Sequence, residues 1–504
     1  MATGGSPGLP ARVRSWTGIP SSLVVVLGVL TGGWGGVDTN MDSAFGQLPQ
    51  HAAAAPATQP VPPAGLGRSG RWFTYDGRPV YFVGFDTQEL ACDPSVDFIA
   101  ALDTFVRYRI NKVRIWVYAY WRPDAFLHPW RYADGRFNLD EWNPAYWTRL
   151  REFLAAAQAR RIVVEITVFA PNNIDDPSDW TRRSGAAWNS RWNTNGAFSA
   201  NAGGHFSPQF FDLTLPETST SGKTLQDYQQ ALLDKTVAEA GGFPNVYFEV
   251  ANEFPVRNLS IDQVYPWQLH WARRLNARSP RLVSVHAHEY FGDHTRGIEY
   301  FWREPYIDVL DFHFTSREPD VISSVLHAAQ ARGKILQTNE GGDPYKDLDA
   351  AARGAWGLFL AGGYYAMYED RSTRIGSEGW IAGARRLKAL RDIAESVSFW
   401  ELSPVDGAGR QYDSLISRGP AARWQVLAKP GSEYLAFFWG RAMEKGVRVA
   451  LPPGRYTYEW RDARTAETTL KGSVSGGRGV EIASPALTSW DENAGVALVI
   501  RSRQ

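Results

Sequence analysis

From Arg71 onward, short apolar runs alternate with longer stretches in which apolar residues recur every three to four positions. The first pattern predicts buried strands, the second amphipathic helices packed over them. Arg71–Arg78 reads as a hairpin with an Asp76-Gly77 turn and leads into a first strand, Pro79–Phe85. Helix Ser95–Arg109, strand Lys112–Tyr118, helix Ala145–Arg160 and strand Ile162–Phe169 follow. Helix Thr224–Ala240 then precedes a fourth strand that begins at Val246 and ends at Glu253. Next come helix Tyr265–Ala277, strand Leu282–His288, strand Val309–Phe314 and helix Val321–Arg332. A seventh strand ends at Glu340, and helix Leu348–Leu360, strand Tyr364–Tyr368 and helix Trp380–Val397 complete the series. Eight largely apolar strands, most of them followed by a helix, predict a (β/α)8 TIM barrel in the α/β class. A doubly wound open sheet is the alternative, but no Gly-rich phosphate loop follows the first strand.

After Trp400 the period shortens. Arg423–Ala428, Glu433–Trp439, Val447–Leu451, Tyr456–Trp460 and Val496–Arg501 read as short strands, punctuated by Pro430-Gly431 and Pro452-Pro453-Gly454. This predicts an all-β sandwich over residues 401–504, behind the barrel domain over 67–400. Residues 1–66 do not resemble a folded domain. Arg12 and Arg14 precede the apolar run Leu23–Leu30, which is too short to span a bilayer but suits a signal peptide. A Gly-rich patch and an Ala/Pro stretch follow as a linker, so a secreted or cell-envelope protein is expected.

Composition narrows the partners. Lys and Arg total 53 and Asp and Glu total 53, with no long basic run, so neither nucleic acid nor a membrane surface is expected as a partner. The 21 Trp and 21 Tyr residues suit either core packing or stacking against sugar rings. Cys92 is the only cysteine, so no intrachain disulfide forms, and it is read as a small packing residue.

The chemistry concentrates at two strand ends. Val246–Glu253 runs from apolar residues into Asn252-Glu253, and Lys334–Glu340 runs into Asn339-Glu340 before Gly341-Gly342. In a TIM barrel the C-terminal strand ends converge on one pocket. Two carboxylates there are what glycoside hydrolysis needs: one protonated to assist the leaving oxygen, the other ionised to attack the anomeric carbon. Glu165 and Glu249 lie mid-strand and are read as buried and paired. A long insertion, 171–221, holds Trp180, Trp188 and Trp192 and is expected to wall the cleft. Trp116, Trp121 and Trp188 suit subsites or core equally, and Asp86, after the first strand, suits the cleft. His286 and His288 alternate on one strand face near Asp293 and His294, a zinc-like grouping without further spaced ligands. Hydrogen bonding to substrate or to a catalytic Glu is the preferred role for His288, and no metal or cofactor is expected.

Asn252-Glu253 and Glu340 on these strands resemble the signature of clan A glycoside hydrolases, the retaining barrel enzymes that include the cellulase-type family 5. The resemblance implies Glu253 as acid/base, Glu340 as nucleophile and Asn252 as the ligand of the sugar 2-hydroxyl. Val113-Arg114-Ile115 resembles the clan's arginine beside the nucleophile, implying Arg114. Asp311-Phe312-His313-Phe314 resembles its histidine motif, implying His313. The clan's strand-eight Trp is replaced by Tyr364–Tyr368, so either Tyr368 serves as the sugar platform or substrate preference differs. The layout also resembles apiosidase-like bacterial proteins, whose small C-terminal domain carries a collagen-binding label; Tyr434–Phe438 and Tyr458–Thr465 are the matching stretches. The expected activity is retaining hydrolysis of a poly- or oligosaccharide by a monomer. The alternative from another class is a non-catalytic carbohydrate-binding or adhesion protein on the same scaffold. An inverting hydrolase or a lyase is the second enzymatic reading.

Overall fold

A computed structural model describes residues 65–118, 124–170, 187–188, 190, 192–196, 208–214, 219–252, 260–287, 295–313, 333–342, 347–369, 374–405, 415–418, 422–440, 446–485 and 495–503. The predicted helix Val321–Arg332 and the N-terminal segment lie outside them, as does most of the 171–221 insertion. Among the described residues no helix is long and apolar enough to cross a membrane.

The chain enters through a small antiparallel sheet, β1 (Leu66–Ser69), β2 (Trp72–Tyr75) and β3 (Arg78–Pro79). Asp76 and Gly77 turn it with φ of 51° and 75°, the double left-handed geometry of a tight hairpin. The barrel strands are β4 (Val83–Thr87) and β5 (Lys112–Trp116), joined by α1 (Phe98–Arg107). A second hairpin, β6 (Trp130–Ala133) and β7 (Arg136–Trp142), interrupts the path to α2 (Pro144–Ala159) and β8 (Val163–Phe169). Then come α3 (Leu225–Ala240), β9 (Val246–Ala251), α4 (Ile261–Arg278), β10 (Val283–His286), α5 (Thr295–Phe301), β11 (Val309–Asp311) and β12 (Ile335–Thr338). Helix α6 (Leu348–Leu360), β13 (Gly363–Glu369) and α7 (Glu378–Ala394) finish the barrel. β4, β5 and β8 to β13 pair in sequence order, all parallel, and close on themselves through β13 and β4. This is the expected eight-stranded barrel.

The register sorts its side chains into two faces. Asp86 pairs with Arg114, Arg114 with Glu165, Glu165 with Tyr247, and Asp311 with Gln337, so these residues share the inward face. Phe85, one position earlier, stacks on Trp380 of α7 at 4.7 Å and so faces outward, as period two requires. The inner face is polar along most of its length. Its lower end is sealed by the entry sheet: Phe73 packs 5.5 Å from Tyr247 and 4.9 Å from Tyr364, and its backbone N–H donates to Tyr364 Oη at 2.9 Å. The plug leaves the cleft at the opposite, C-terminal end.

The remaining strands are β14 (Ser403–Pro404), β15 (Ile416–Arg418), β16 (Ala422–Lys429), β17 (Glu433–Gly440), β18 (Val447–Asp462), β19 (Thr468–Ile482) and β20 (Val496–Ser502). They form one seven-stranded antiparallel sheet. The all-β region is as expected; its described strands are joined in a single hydrogen-bonded sheet. Val447–Leu451 and Tyr456–Trp460, read as two strands, are one strand whose register shifts around Pro452-Pro453-Gly454. A bulge admits proline where a regular ladder does not. Strand β19 has no counterpart in the sequence reading because its residues are mostly exposed or half-buried, without an apolar face.

Candidate active site

Glu340 stands just beyond β12, and its backbone carries the site's main local feature. Period two puts Gln337 and Asn339 inward and would turn Glu340 outward. Instead Glu340 takes φ of +52°, a left-handed conformation that costs a non-glycine residue about 1–2 kcal/mol. The turn swings its carboxylate back over the barrel mouth, where 13% of the side chain is exposed. Gly341 follows because a Cβ there would lie 2.3 Å from the Tyr365 ring. The Gly341 N–H donates to the Ala366 carbonyl at 3.0 Å and fixes the turn to β13.

Arg114, on β5, is the hub. Its Nη1 donates to Glu340 Oε1 and to Asp86 Oδ1, both at 3.1 Å. Its Nη2 donates to Asn252 Oδ1 at 2.6 Å and to Glu249 Oε2 at 2.7 Å, and its Nε to the same Glu249 oxygen at 2.9 Å. Burial alone would lower the guanidinium's pKa, but Glu249, Asp86 and Glu340 outweigh it and hold the group well above its usual value. Burial pushes the Asp86 carboxyl up against the pull of Arg114, and burial pushes Glu249 well up. Gln88 Nε2 donates to Asp86 at 2.8 Å and to Glu340 Oε1 at 3.3 Å, which ties the first strand to the seventh.

A second buried network lies below. Lys112 meets Glu165 at 2.8 Å, and Asn339 donates to both Glu165 and Asp311. Glu165 and Glu249 are therefore the paired interior residues their mid-strand positions suggested. Burial alone would raise Asp311, but the imidazoles of His286 and His313 beside it outweigh burial and hold it well below the ordinary carboxylate range. His313 spans the two networks, with Nε2 3.4 Å from Asp311 and Nδ1 3.8 Å from Glu340.

Of the residues singled out in the sequence, the fold brings together Glu340, Arg114, Asn252, His313 and Asp86. One is corrected in place. Asp86 does not face the cleft: it is fully buried inside β4 and held by Arg114 and Gln88. Arg114 is buried too and stands beside Glu340, 3.1 Å away, the place the resemblance implied. Tyr368 is half-buried on β13, in register with Asp86. Glu253, His288 and Trp121 lie outside the described residues, as do Asp293, His294 and Trp180. Trp188 is a core residue, 4% exposed and edge-on to Trp130 at 5.2 Å, so among the described residues it does not wall the cleft. Trp116 is buried as well. Cys92 is fully buried, as expected of a packing residue, and burial pushes its thiol well up.

Gln88, Asn339 and Asp311 were given no role from the sequence. Gln88 and Asn339 do follow apolar strands directly, as Asn252 does, and that position is the signal that would have found them. Asn252 carries a further clue: its Nδ2 is buried and has no hydrogen-bond partner among the described residues. A buried amide N–H without an acceptor costs about 1–3 kcal/mol, and a ligand oxygen at the cleft removes that cost.

No family model matches the chain, and no curated sequence matches it either. Solved structures do. A glycoside hydrolase family 5 protein from Bacteroides vulgatus superposes with a TM-score of 0.59 at 13% identity, covering 87% of this chain and 93% of that one. A second glycoside hydrolase matches with a TM-score of 0.59 at 12% identity, over 87% of this chain and 97% of its own. At such identities the similarity establishes the fold, including the barrel and the sheet behind it.

Proposed function

We propose that the chain is a retaining glycoside hydrolase acting on a poly- or oligosaccharide, with Glu340 as nucleophile and Glu253 as acid/base. The observation that carries this reading is the shared clamp of Arg114. One guanidinium holds both Glu340 and Asn252, so a carboxylate and an amide donor are fixed in a common frame at the barrel mouth. An arginine paired with a carboxylate favours the charged form that a nucleophile needs, and Arg114 Nη1 lies 3.1 Å from Glu340. The Asn252 Nδ2 donor suits the sugar 2-hydroxyl, whose hydrogen bond strengthens in an oxocarbenium-like transition state. Glu253, next in the chain, would protonate the leaving oxygen and then activate water. The match to family 5 structures supports the reading at the level of fold.

The test is a pair of variants assayed on aryl glycosides found by screening. Glu340→Ala removes the nucleophile, and added azide should then give a product of inverted configuration. Glu253→Ala should still form the intermediate from dinitrophenyl glycosides, with azide accelerating its breakdown at retained configuration. On substrates with poor leaving groups the loss should be about 10²–10⁴-fold or more. Wild-type turnover in both variants would place the chemistry elsewhere.

A further inference from the structure

We propose that His286, Asp311 and His313 form a binding site for a divalent transition-metal cation of the zinc type, set behind Glu340. The three residues sit on adjacent strand ends, His286 on β10 and the other two on or just past β11, and all are buried. Their ligand atoms lie within 4.8 Å of one another. Asp311 Oδ2 is 3.4 Å from His313 Nε2 and 3.7 Å from His286 Nδ1. N–H···O hydrogen bonds are shorter, about 2.7–3.2 Å, whereas ligands bound at about 2.0–2.2 Å in a tetrahedron stand roughly 3.3–3.5 Å apart. The Asp311–His313 distance falls in that range, and the Asp311–His286 distance is slightly longer. The two imidazoles meet edge to face at 4.6 Å between centroids.

The surroundings are built as an outer shell. Asp311 accepts from the Asn339 backbone N–H at 3.0 Å on Oδ1 and from its side-chain amide at 3.2 Å on Oδ2, which fixes the carboxylate plane. With Nε2 of His313 turned to the metal, its Nδ1 would lie on the side of the Glu340 carboxylate, 3.8 Å away. Charge points the same way. Asp86, Glu165, Glu249, Asp311 and Glu340 face only Lys112 and Arg114 among the described residues of the interior. Two imidazoles and one carboxylate suit Zn²⁺ or Co²⁺ over the hard cations.

The test reads bound metal and not turnover, so it stands whether or not the glycosidase reading does. The full chain, stripped with a chelator and desalted, is titrated with Zn²⁺ by equilibrium dialysis and with Co²⁺ by visible absorption. About one equivalent should be retained, with Co²⁺ giving the intense bands of a four-coordinate site. His286→Gln and Asp311→Asn should each weaken binding by more than the roughly 10–100-fold typical of losing an outer-shell partner. Failure of the wild type to hold stoichiometric metal overturns the proposal and leaves a buried imidazole–carboxylate cluster. Undiminished binding in His286→Gln overturns it as well, by placing the ion elsewhere. If both variants misfold, X-ray absorption of the metal-loaded wild type decides: two imidazole nitrogens and a carboxylate support the site, and fewer than two imidazoles refute it.

Discussion

Along β17, Leu435, Phe437 and Trp439 join the barrel's core while Tyr434, Ala436 and Phe438 join a second core on the other side of the sheet. Phe437 stacks on Trp356 of α6 at 4.5 Å with the rings 3° from parallel, so the seam between barrel and sheet is an apolar joint. Along the barrel strands the same alternation carries apolar residues outward to the helices, but turns Asp86, Arg114, Glu165 and Glu249 inward. The seam face of β17 and the barrel interior are both buried. One is held by surface removed from water, the other by charges that are costly to bury and stay only because each is paired. The sheet can lose an atom and still fold around the gap. The barrel interior cannot lose a partner without stranding a charge.

The sharpest way to break this contrast is Arg114→Met. It keeps the volume but strands Asp86 and Glu249 and frees Glu340. The expected cost is about 3–5 kcal/mol of unfolding free energy together with loss of activity. Urea denaturation followed by tryptophan fluorescence measures it. A loss below 1 kcal/mol would mean that the interior charges are not held in the way their distances imply.

Leu435→Ala is the counterpart in the sheet. Leu435 is fully buried on the seam face. Removing its side chain should cost about 2–5 kcal/mol, depending on how far the seam collapses, while leaving the site geometry intact. Turnover per folded molecule should therefore stay at the wild-type level, measured below the shifted denaturation midpoint. A variant that unfolds early and is also inactive when folded would show that the sheet shapes the site.

How much of this was legible in the sequence follows the same divide. Apolar runs and helical periods placed all eight barrel strands, and Leu348–Leu360 matches α6 to the residue because Asp347 caps its start. Glu340 was legible because polar residues that close apolar strands have few structural reasons to be there, whereas Arg114, in the middle of β5, was reached only through the resemblance of Val113-Arg114-Ile115. The clamp was not legible, since it depends on which strands face one another across the barrel. His286 was noticed with His288, Asp293 and His294, which lie outside the described residues; that Asp311 and His313 stand beside it depends on the pairing of β10 with β11 and was not legible. The β6–β7 hairpin was missed although Asp134-Gly135 marks its turn, with φ of 51° and 74°. Strand β19 offers no apolar face to read.

The pH dependence sharpens the electrostatic half of the comparison. Glu249 has a raised pKa in the folded state, so folded protein binds more protons than unfolded above the ordinary Glu value near 4.3. Stability due to this group therefore falls as pH rises from there toward the raised value. Asp86 acts with the same sign, and Asp311, held low, contributes stability that is lost only in strong acid. Glu249→Gln, which mimics the protonated form, should gain on the wild type by about 1.4 kcal/mol for each pH unit crossed between those limits. Denaturation midpoints of both proteins from pH 4 to 8 measure the difference. A wild type that gains on the variant with rising pH would reverse the sign and assign Glu249 to the ionised form throughout.

The smallest effect is expected where charge meets water. Arg448 Nη2 lies 2.7 Å from Glu481 across β18 and β19, a distance equal to that between Arg114 and Glu249. The side chains of the outer pair are 42% and 69% exposed, against none for the inner pair. Water already solvates the outer charges, so bringing them together gains little and holding two long side chains in place costs entropy. Glu481→Gln should shift stability by no more than about 0.5 kcal/mol, and added salt should erase most of that. If the shift instead approached the Arg114→Met value, geometry alone would set the strength of a charge pair in this protein. Burial would then not be the variable that separates the barrel interior from the sheet.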